Sequence, residues 1–430
     1  MLKLIIHPSK VLLNFLLSLC LSLSKPQRLH ILRTVEALIV SDQGKNLSAL
    51  YRQWVEAPDV SAVADFFRVS PWSGKQMGVG LSNFVMADVI RRAETEGLES
   101  VIYVSIDDSL TRKDKGTTAL EAVDWTHDHN ASTKKKSIYS NGAVHISCRV
   151  QVGEYSYTFG WRLYLRAKTV RRLNRQRPKD KRVKFKSKYR LAREMLLELK
   201  AFIPKGWKVY VMFDSWYASA KLLKFIHRQG KSWYALCAIK SNRTLDGIRV
   251  SQIHQRLKHK RYTCVRVKAA DNTSTTYYVR TVRGHLSNVP FEVCVLISRR
   301  HPRDNNPKYY LCTDLSLSAH TILNCYQKRW PIEVDYWYLK QRLGLGDFRL
   351  HSYEAIHKWY TVVHLTLTFL QWRLYNVCSR GEPLASVADV IQLHRQEHAR
   401  EVLMSACREA IATGSVESVV ERFIIPSQVA

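Results

Sequence analysis

Three acidic positions stand where apolar runs give way to polar residues. The run Ser100–Ile106 (SVIYVSI) is followed by Asp107 and Asp108, and the run Trp207–Phe213 (WKVYVMF) by Asp214. Neighbouring strand ends can hold carboxylates close enough together to bind a pair of magnesium ions. Aspartates also end strands as caps and turn residues, so neither position identifies a metal site alone. The third acid has a fuller setting. Tyr326, Arg329, Glu333 and Lys340 fall at roughly 0, 300, 340 and 320° on a helix advancing about 100° per residue, a single narrow stripe. A phenol, a guanidinium, a carboxylate and an ammonium on one face can hold a metal ion and the nucleic-acid phosphates beside it. The plainer alternative is a surface helix with an Arg329–Glu333 pair at i,i+4. Pro331 removes one ladder bond and bends or restarts the helix, a kink the stripe would survive if modest.

Those residues need strands and helices to position them. Ser100–Ile106 is β-branched and aromatic without helical period, as expected of a strand buried on both faces. Strands follow at Gly142–Val152 and Tyr155–Leu165. A basic stretch, Lys168–Lys188, holds one acid, Asp180. A helix over Tyr189–Phe202 ends at Pro204-Lys205-Gly206, and strand Trp207–Phe213, helix Tyr217–Gln229 and strand Ser232–Ile239 come next. Tyr262–Lys268, Thr275–Arg283, Phe291–Ser298 and Tyr309–Thr313 read as a small antiparallel sheet. After Ser318 the chain is helical, apart from breaks at Gly344–Gly346 and Ser379–Pro383. The order of three strands, helix, strand, helix and strand predicts a mixed sheet covered by helices on both faces.

Ahead of this core, helical spacing runs through Arg28–Val40, through Asn46 to a stop at Pro58, through Ser61–Phe67, and from Ser70-Pro71 to Arg92. Short helices with tight turns between them suit a DNA-binding helix-turn-helix or a small bundle. Val11–Leu23 has the shape of a signal-peptide apolar region, but no A-x-A site follows it. It is also too short and too rich in serine to span a bilayer, and reads as a buried helix of a cytoplasmic bundle.

Composition narrows the partner. The 430 residues suggest two or three domains, and 46% hydrophobic with 24% charged residues is globular. Lysine and arginine number 67 against 36 acids, a net charge of +31 that a long polyanion can use best. This disfavours an enzyme restricted to small neutral or cationic metabolites. Basic blocks at Lys134–Lys136, Arg171–Lys188 and Lys258–Arg261 suit a phosphate backbone or solvated loops. Nine scattered cysteines without C-x-x-C fit a reduced compartment and core packing. The sixteen histidines form no H-E-x-x-H and read as surface or core residues rather than a paired zinc site, and no P-loop calls for a nucleotide cofactor.

The segment YQKRWPIEVDYWYLKQRLGLGDF, from Tyr326 to Phe348, resembles the Y-R-E-K signature of bacterial insertion-sequence transposases, which carry a DDE site on an RNase H-like core. The resemblance extends to IDDSLTRKDKG, to FDSWYAS and to YYLCTDLSLSAHTILNCYQKRW, and covers roughly residues 100 to 360. The signature with its R-W-x-I-E is specific, whereas the aspartate motifs gain meaning only in this order. The implied fold class is α/β: an N-terminal helical domain (1–98), an RNase H-like mixed-sheet core (99–239 and 317–376) interrupted by a β-rich insertion (240–316), and C-terminal helices (377–430).

The resemblance also implies roles. Asp108 would be the first metal ligand, because the family's motif reads acid-Asp-Thr/Ser, with Asp107 the alternative. Ser109 stands where many relatives have threonine. Asp214 and Glu333 would be the second and third ligands of two Mg²⁺ ions, with Mn²⁺ able to substitute. Tyr326, Arg329 and Lys340 would contact phosphates at the cleaved end. Trp330 would stack on an unpaired base, burial being the alternative. The implied reaction is cut-and-paste transposition. A metal-activated water attacks the phosphodiester at the element's end, and the freed 3′-hydroxyl attacks the opposite strand or target DNA. The implied partners are double-stranded DNA, as terminal inverted repeats and target, and a second copy in a synaptic homodimer. The helices from Glu354 onward are the candidate interface, and the place of action is the bacterial cytoplasm, on the nucleoid when DNA is bound. Two other functions fit the same core, a catalytically silent DNA-binding descendant and a structure-selective nuclease. A simple nuclease has no need of the four-residue stripe.

Overall fold

The apolar runs that precede Asp107 and Asp214 lie side by side. The computed structural model describes residues 2–424 except 43, 58, 130, 134, 269–272 and 380–383. The stop at Pro58, Lys134 of the first basic block and all of the 379–383 break except Ser379 therefore lie outside the described residues.

Helices α1 (Lys10–Ser18), α2 (Lys25–Val40), α3 (Leu47–Tyr51), α4 (Val60–Arg68) and α5 (Gly74–Thr95) open the chain. Ser9, Ser24, Asn46, Asp59 and Ser73 cap them, each side chain accepting a backbone N–H that the first turn leaves without a helical partner. The apolar helix expected over Val11–Leu23 is shorter: α1 stops at Ser18, ahead of Cys20 at φ 49°. It buries Leu12, Phe15 and Leu16 while Leu17 stays exposed. No described helix is long and apolar enough to cross a membrane.

Strands β1 (Val101–Arg112), β2 (Asp124–His127), β3 (Tyr139–Val152) and β4 (Tyr155–Tyr164) follow. Then come α6 (Ala167–Asn174), α7 (Lys188–Lys200), β5 (Lys208–Phe213), α8 (Ala220–His227) and β6 (Trp233–Ala238). β1, β3 and β4 are antiparallel neighbours, while β5 runs parallel to β1 and β6 parallel to β5. The resulting order, β4–β3–β1–β5–β6, is the RNase H-like arrangement. Alternation assigns the two faces: Ile102, Val104 and Ile106 of β1 enter one apolar cluster with α5, α7 and α8, and Tyr103 enters another with Ile322 and Leu323.

Two features of this sheet differ from expectation. β1 does not end at Asp107. It loses its parallel partner after Ile106↔Phe213 but keeps its antiparallel one as far as Arg112↔Gly142, because β3 is long enough to supply it. At that end β3 carries glycine, since a Cβ on Gly142 would lie 2.3 Å from the Thr111 carbonyl oxygen. The four longer strands of the insertion also form no separate sheet. After β7 (Thr244–Leu245), β8 (Ile248–Arg249) and α9 (Val250–Leu257) come β9 (Thr263–Lys268), β10 (Ser274–His285), β11 (Glu292–Arg299) and β12 (Lys308–Cys312). β12 pairs with β6 through Leu311↔Cys237, so β9 to β12 extend the core sheet, while β7 and β8 form a two-stranded sheet of their own.

The chain closes with α10 (Ala319–Gln327), α11 (Pro331–Trp337), a π turn at Tyr338–Arg342, and α12 (Tyr353–Cys378), α13 (Val387–Thr413) and α14 (Val416–Phe423). α12 is buried over most of its length, so of the segment from Glu354 onward it is the distal part of α13 with α14 that presents exposed apolar residues, among them Leu403, Ile411 and Val416. Residues 2–3 meet residues 423–424. Lys3 N–H donates to the Phe423 carbonyl at 2.8 Å, and Leu2 and Ile424 form a β-bridge. Five cysteines are buried and four exposed, all free.

One part of this packing carries a pH dependence. Trp161 stacks on His364 at 5.1 Å and lies 4.8 Å from His357, and His145 sits 5.7 Å from His364. Burial pushes His357 down to about 4 and His364 to about 3, and desolvation with His364 nearby depresses His145 too. In the unfolded chain these imidazoles protonate near 6.5. Their stabilising contribution is therefore complete above that pH and is lost as pH falls from there toward about 4. Thermal unfolding followed by circular dichroism should show a clearly lower Tm at about pH 5 than at about pH 7.5. A His364→Phe variant should show a smaller drop, and equal drops would remove His364 as a source.

Candidate active site

β1 delivers two carboxylates to opposite faces of the sheet at the point where β5 leaves it. Asp107 turns toward α10 and α11. Its Oδ1 accepts the Asp108 N–H at 2.8 Å, and its Oδ2 pairs with Arg329 Nη1 at 3.1 Å. Asp108 turns toward α7. Its Oδ1 accepts the Tyr217 hydroxyl at 3.0 Å, and Lys188 Nζ lies 2.6 Å from its Oδ2. β5 stops at Phe213, and the Oδ1 of Asp214 caps the next turn by accepting the N–H groups of Trp216 (3.0 Å) and Tyr217 (3.2 Å). The turn-residue reading of Asp214 is thus realised, and the carboxylate still lines the cleft.

Pro331 does more than kink the helix that was to carry the stripe. Lys328, Arg329 and Trp330 bond to carbonyls three residues back, at 3.1, 3.1 and 3.0 Å, in the tighter 3₁₀ pattern. The helix restarts with Pro331 in its first position, where the missing N–H costs nothing. Beyond α11 the π turn widens the coil around Lys340. A helix bent or restarted at Pro331 was expected, and the chain uses three pieces, the π turn being the addition. Arg329, Glu333 and Lys340 still reach one cleft of about 660 Å³, together with Asp107, Asp108 and Asp214. Tyr326 does not join them. Its hydroxyl donates to the Phe213 carbonyl at 3.3 Å and its ring packs on Tyr310 at 4.8 Å, so it braces the strand end beneath Asp214. Trp330 is 60% exposed, against the burial alternative, and shares the outer side of α11 with Val334 and Trp337. Trp337 lines the cleft.

The electrostatics follow from burial first and from the crowding of acids second. Burial pushes the Asp107 carboxyl up to about 7, helped by Asp214 and Asp108 and opposed by Arg329. The Arg329 guanidinium is itself desolvated but held charged by Tyr326, Asp107 and Glu333, the last accepting from its Nη2. Burial, and then Arg112, lower Lys340, against Asp128 and Asp107. An all-oxygen donor set of aspartates and a glutamate fits a hard divalent cation. The ammonium of Lys188 and the guanidinium of Arg329 lie on the very carboxylates such an ion would neutralise.

A buried brace sits two residues beyond Glu333. Asp335 Oδ2 accepts from Arg149 Nε at 2.7 Å and from the Thr158 hydroxyl at 3.4 Å, and its Oδ1 accepts from Gln371 Nε2 at 2.9 Å. It therefore ties α11 to β3, β4 and α12.

Sequence reasoning missed several of these residues. Lys188 closes the basic block 171–188, whose members take different directions: Arg177 turns to Glu121 and Glu354, Lys186 to Glu194, and Lys188 to Asp108, while Arg171 and Arg172 stay exposed. Lys135, Lys136 and Lys258–Arg261 are exposed. Tyr217 had a signal, its place three residues after Asp214 in FDSWYAS.

The comparisons with known proteins bear on this site. A family model described as "DDE superfamily endonuclease" matches residues 18–272, and another described as "transposase DDE domain" matches residues 181–369. Among solved structures, the chain is similar to the piggyBac transposase synaptic complex with hairpin DNA, studied by cryo-EM, at 13% identity and a TM-score of 0.42, over 96% of this chain and 78% of that one. No curated protein matches the sequence.

Proposed function

The chain belongs to the DDE superfamily endonucleases, and from that premise we propose that it is a DNA transposase of the Y-R-E-K insertion-sequence group. In this reading it cuts the ends of its own element and joins them to target DNA. The observation that carries the reading is the convergence of Asp108, Asp214, Glu333, Arg329 and Lys340, drawn from β1, the end of β5 and the broken α10–α11 unit, on one open cleft.

Asp108, Asp214 and Glu333 would hold two Mg²⁺ ions, or Mn²⁺, which supply an activated water and charge stabilisation for in-line displacement at phosphorus. Around them the chain's own groups set the geometry. Arg329 keeps Asp107 and Glu333 in register through its two terminal nitrogens. Lys340 and Lys188 bring ammonium charge to the scissile phosphate and its neighbour. Tyr326 fixes the strand end that aims Asp214. The exposed indole of Trp330, with Trp337 at the cleft, offers a stacking face for a base unpaired at the cut. The net charge of +31 favours double-stranded DNA as the partner, both as inverted repeats and as target. The exposed apolar residues of distal α13 and α14 are the surface for the second copy in the synaptic homodimer. The protein would act on the bacterial nucleoid.

The test is cleavage of DNA carrying the gene's own flanks, in Mg²⁺ or Mn²⁺. Nicks at matched inverted ends are expected. Asp108→Asn should reduce them by more than about 100-fold, and Asp107→Asn by less, because an asparagine there can still accept from Arg329. The reverse ranking would make Asp107 the ligand. Specific end binding without cleavage would mark a silenced descendant. A folded chain that neither binds nor cuts would end the reading.

A further inference from the structure

The reading of the histidines as unpaired for zinc missed one spacing. His394 and His398 stand at i,i+4 in H-R-Q-E-H on α13, one turn apart on the same face. Both Nε2 atoms aim at a single oxygen, Oε2 of Glu36 on α2, with His398 at 2.9 Å. The three ligand atoms lie within 4.8 Å of one another, and all three side chains are buried. None of these residues lines the catalytic cleft.

We propose that Glu36, His394 and His398 form a second metal site that takes one zinc-type divalent ion, independent of the transposase reading. Two imidazoles and a carboxylate are a borderline donor set of the kind Zn²⁺ prefers over the hard ions suited to the cleft, with a fourth position for water.

The surroundings carry the outer partners such a site needs. Oε1 of Glu36 accepts the Ser9 N–H at 2.6 Å, which orients the carboxylate and leaves Oε2 to face the imidazoles. Each histidine has a glutamate three residues on. Glu397 Oε2 is 4.0 Å from His394 Nδ1, and Glu401 Oε2 is 3.9 Å from His398 Nδ1. Metal-bound histidines characteristically donate their second N–H to a carboxylate. The Nδ1 of His398 is buried with no hydrogen-bond partner, a cost that turning toward Glu401 would remove. Glu36 is itself fully buried. Burial would raise its carboxyl, and the two imidazoles outweigh that and hold it well below the usual range. A divalent ion would balance that charge directly.

One group must adjust. Arg373 Nη1 touches His394 Nδ1, while its Nη2 grips both oxygens of Glu397. A donor at Nδ1 keeps the imidazole proton on Nε2. Metal binding at Nε2 moves that proton to Nδ1, with Glu397 as its acceptor and Arg373 retained by Glu397 alone.

The test uses the full chain without a histidine tag, in an Asp214→Asn background so that the cleft contributes little. After incubation with Zn²⁺ and gel filtration into Mg²⁺ buffer, elemental analysis should find about one zinc per chain. It should find none in a His394→Ala/His398→Ala variant. Cobalt loading of the unaltered histidines should give visible d–d absorption, a readout that does not depend on the variant folding. A folded chain that retains no zinc and shows no cobalt band would overturn the proposal and leave a hydrogen-bonded cluster. Zinc that survives the double substitution would overturn it equally.

Discussion

Glu333→Gln should bind the element's ends as the unaltered chain does and yet cut them more than about 100-fold more slowly, a loss beyond that of outer-shell partners. The amide keeps a carbonyl oxygen for the Arg329 Nη2 that Glu333 now satisfies, so Arg329 should remain in place beside Asp107. What is lost is the one negative charge that Glu333 would add to Asp108 and Asp214 in the proposed metal site. A gel-shift titration beside a single-turnover cleavage assay separates the two effects. If cleavage falls less than tenfold, Glu333 is not a ligand. If binding falls in parallel with cleavage, the substitution has disturbed the α10–α11 unit instead.

Asp335→Ala should destabilise the fold by about 3–5 kcal/mol, the usual result of removing one partner from a buried ion pair. Burial raises the Asp335 carboxyl, and Arg149 at 2.7 Å opposes that shift. Without it the Arg149 guanidinium stays buried between β3 and α11, and Thr158 and Gln371 lose an acceptor. Pairing Asp335→Leu with Arg149→Met should recover much of the loss, because matched apolar groups remove the uncompensated charge. Denaturant unfolding measures both. A single-variant cost below about 1 kcal/mol would mean that water reaches the pair.

The part of the site legible in the sequence is the part built by local rules. Strands buried on both faces are apolar until the site interrupts them, which exposes Asp107, Asp108 and Asp214 as breaks in SVIYVSI and WKVYVMF. Pro331 announces the break before Glu333. What stays hidden depends on partners distant in the chain. The length of β1 is set by β3, and the short polar strand β2 exists because β3 offers it an edge at residues 139–142. Lys188 reaches Asp108 across 80 positions, with nothing to distinguish it from its basic neighbours. The π turn at Lys340 has no sequence mark that propensity can read. The junction of β12 with β6 is likewise invisible, since pairing choice between sheets is a matter of edges rather than composition.

The pairing of Leu2 and Lys3 with Phe423 and Ile424 has a consequence for how the protein is made. α2 packs on α12 and α13, its Glu36 is closed over by His394 and His398, and the strand-like start at Leu2 and Lys3 is completed by Phe423 and Ile424. On the ribosome the N-terminal helices emerge well before the surfaces that bury them. They must wait, part-covered, until α13 and α14 have left the exit tunnel. Until then the packing of these helices is unfinished, and a chain truncated anywhere before α13 never completes it.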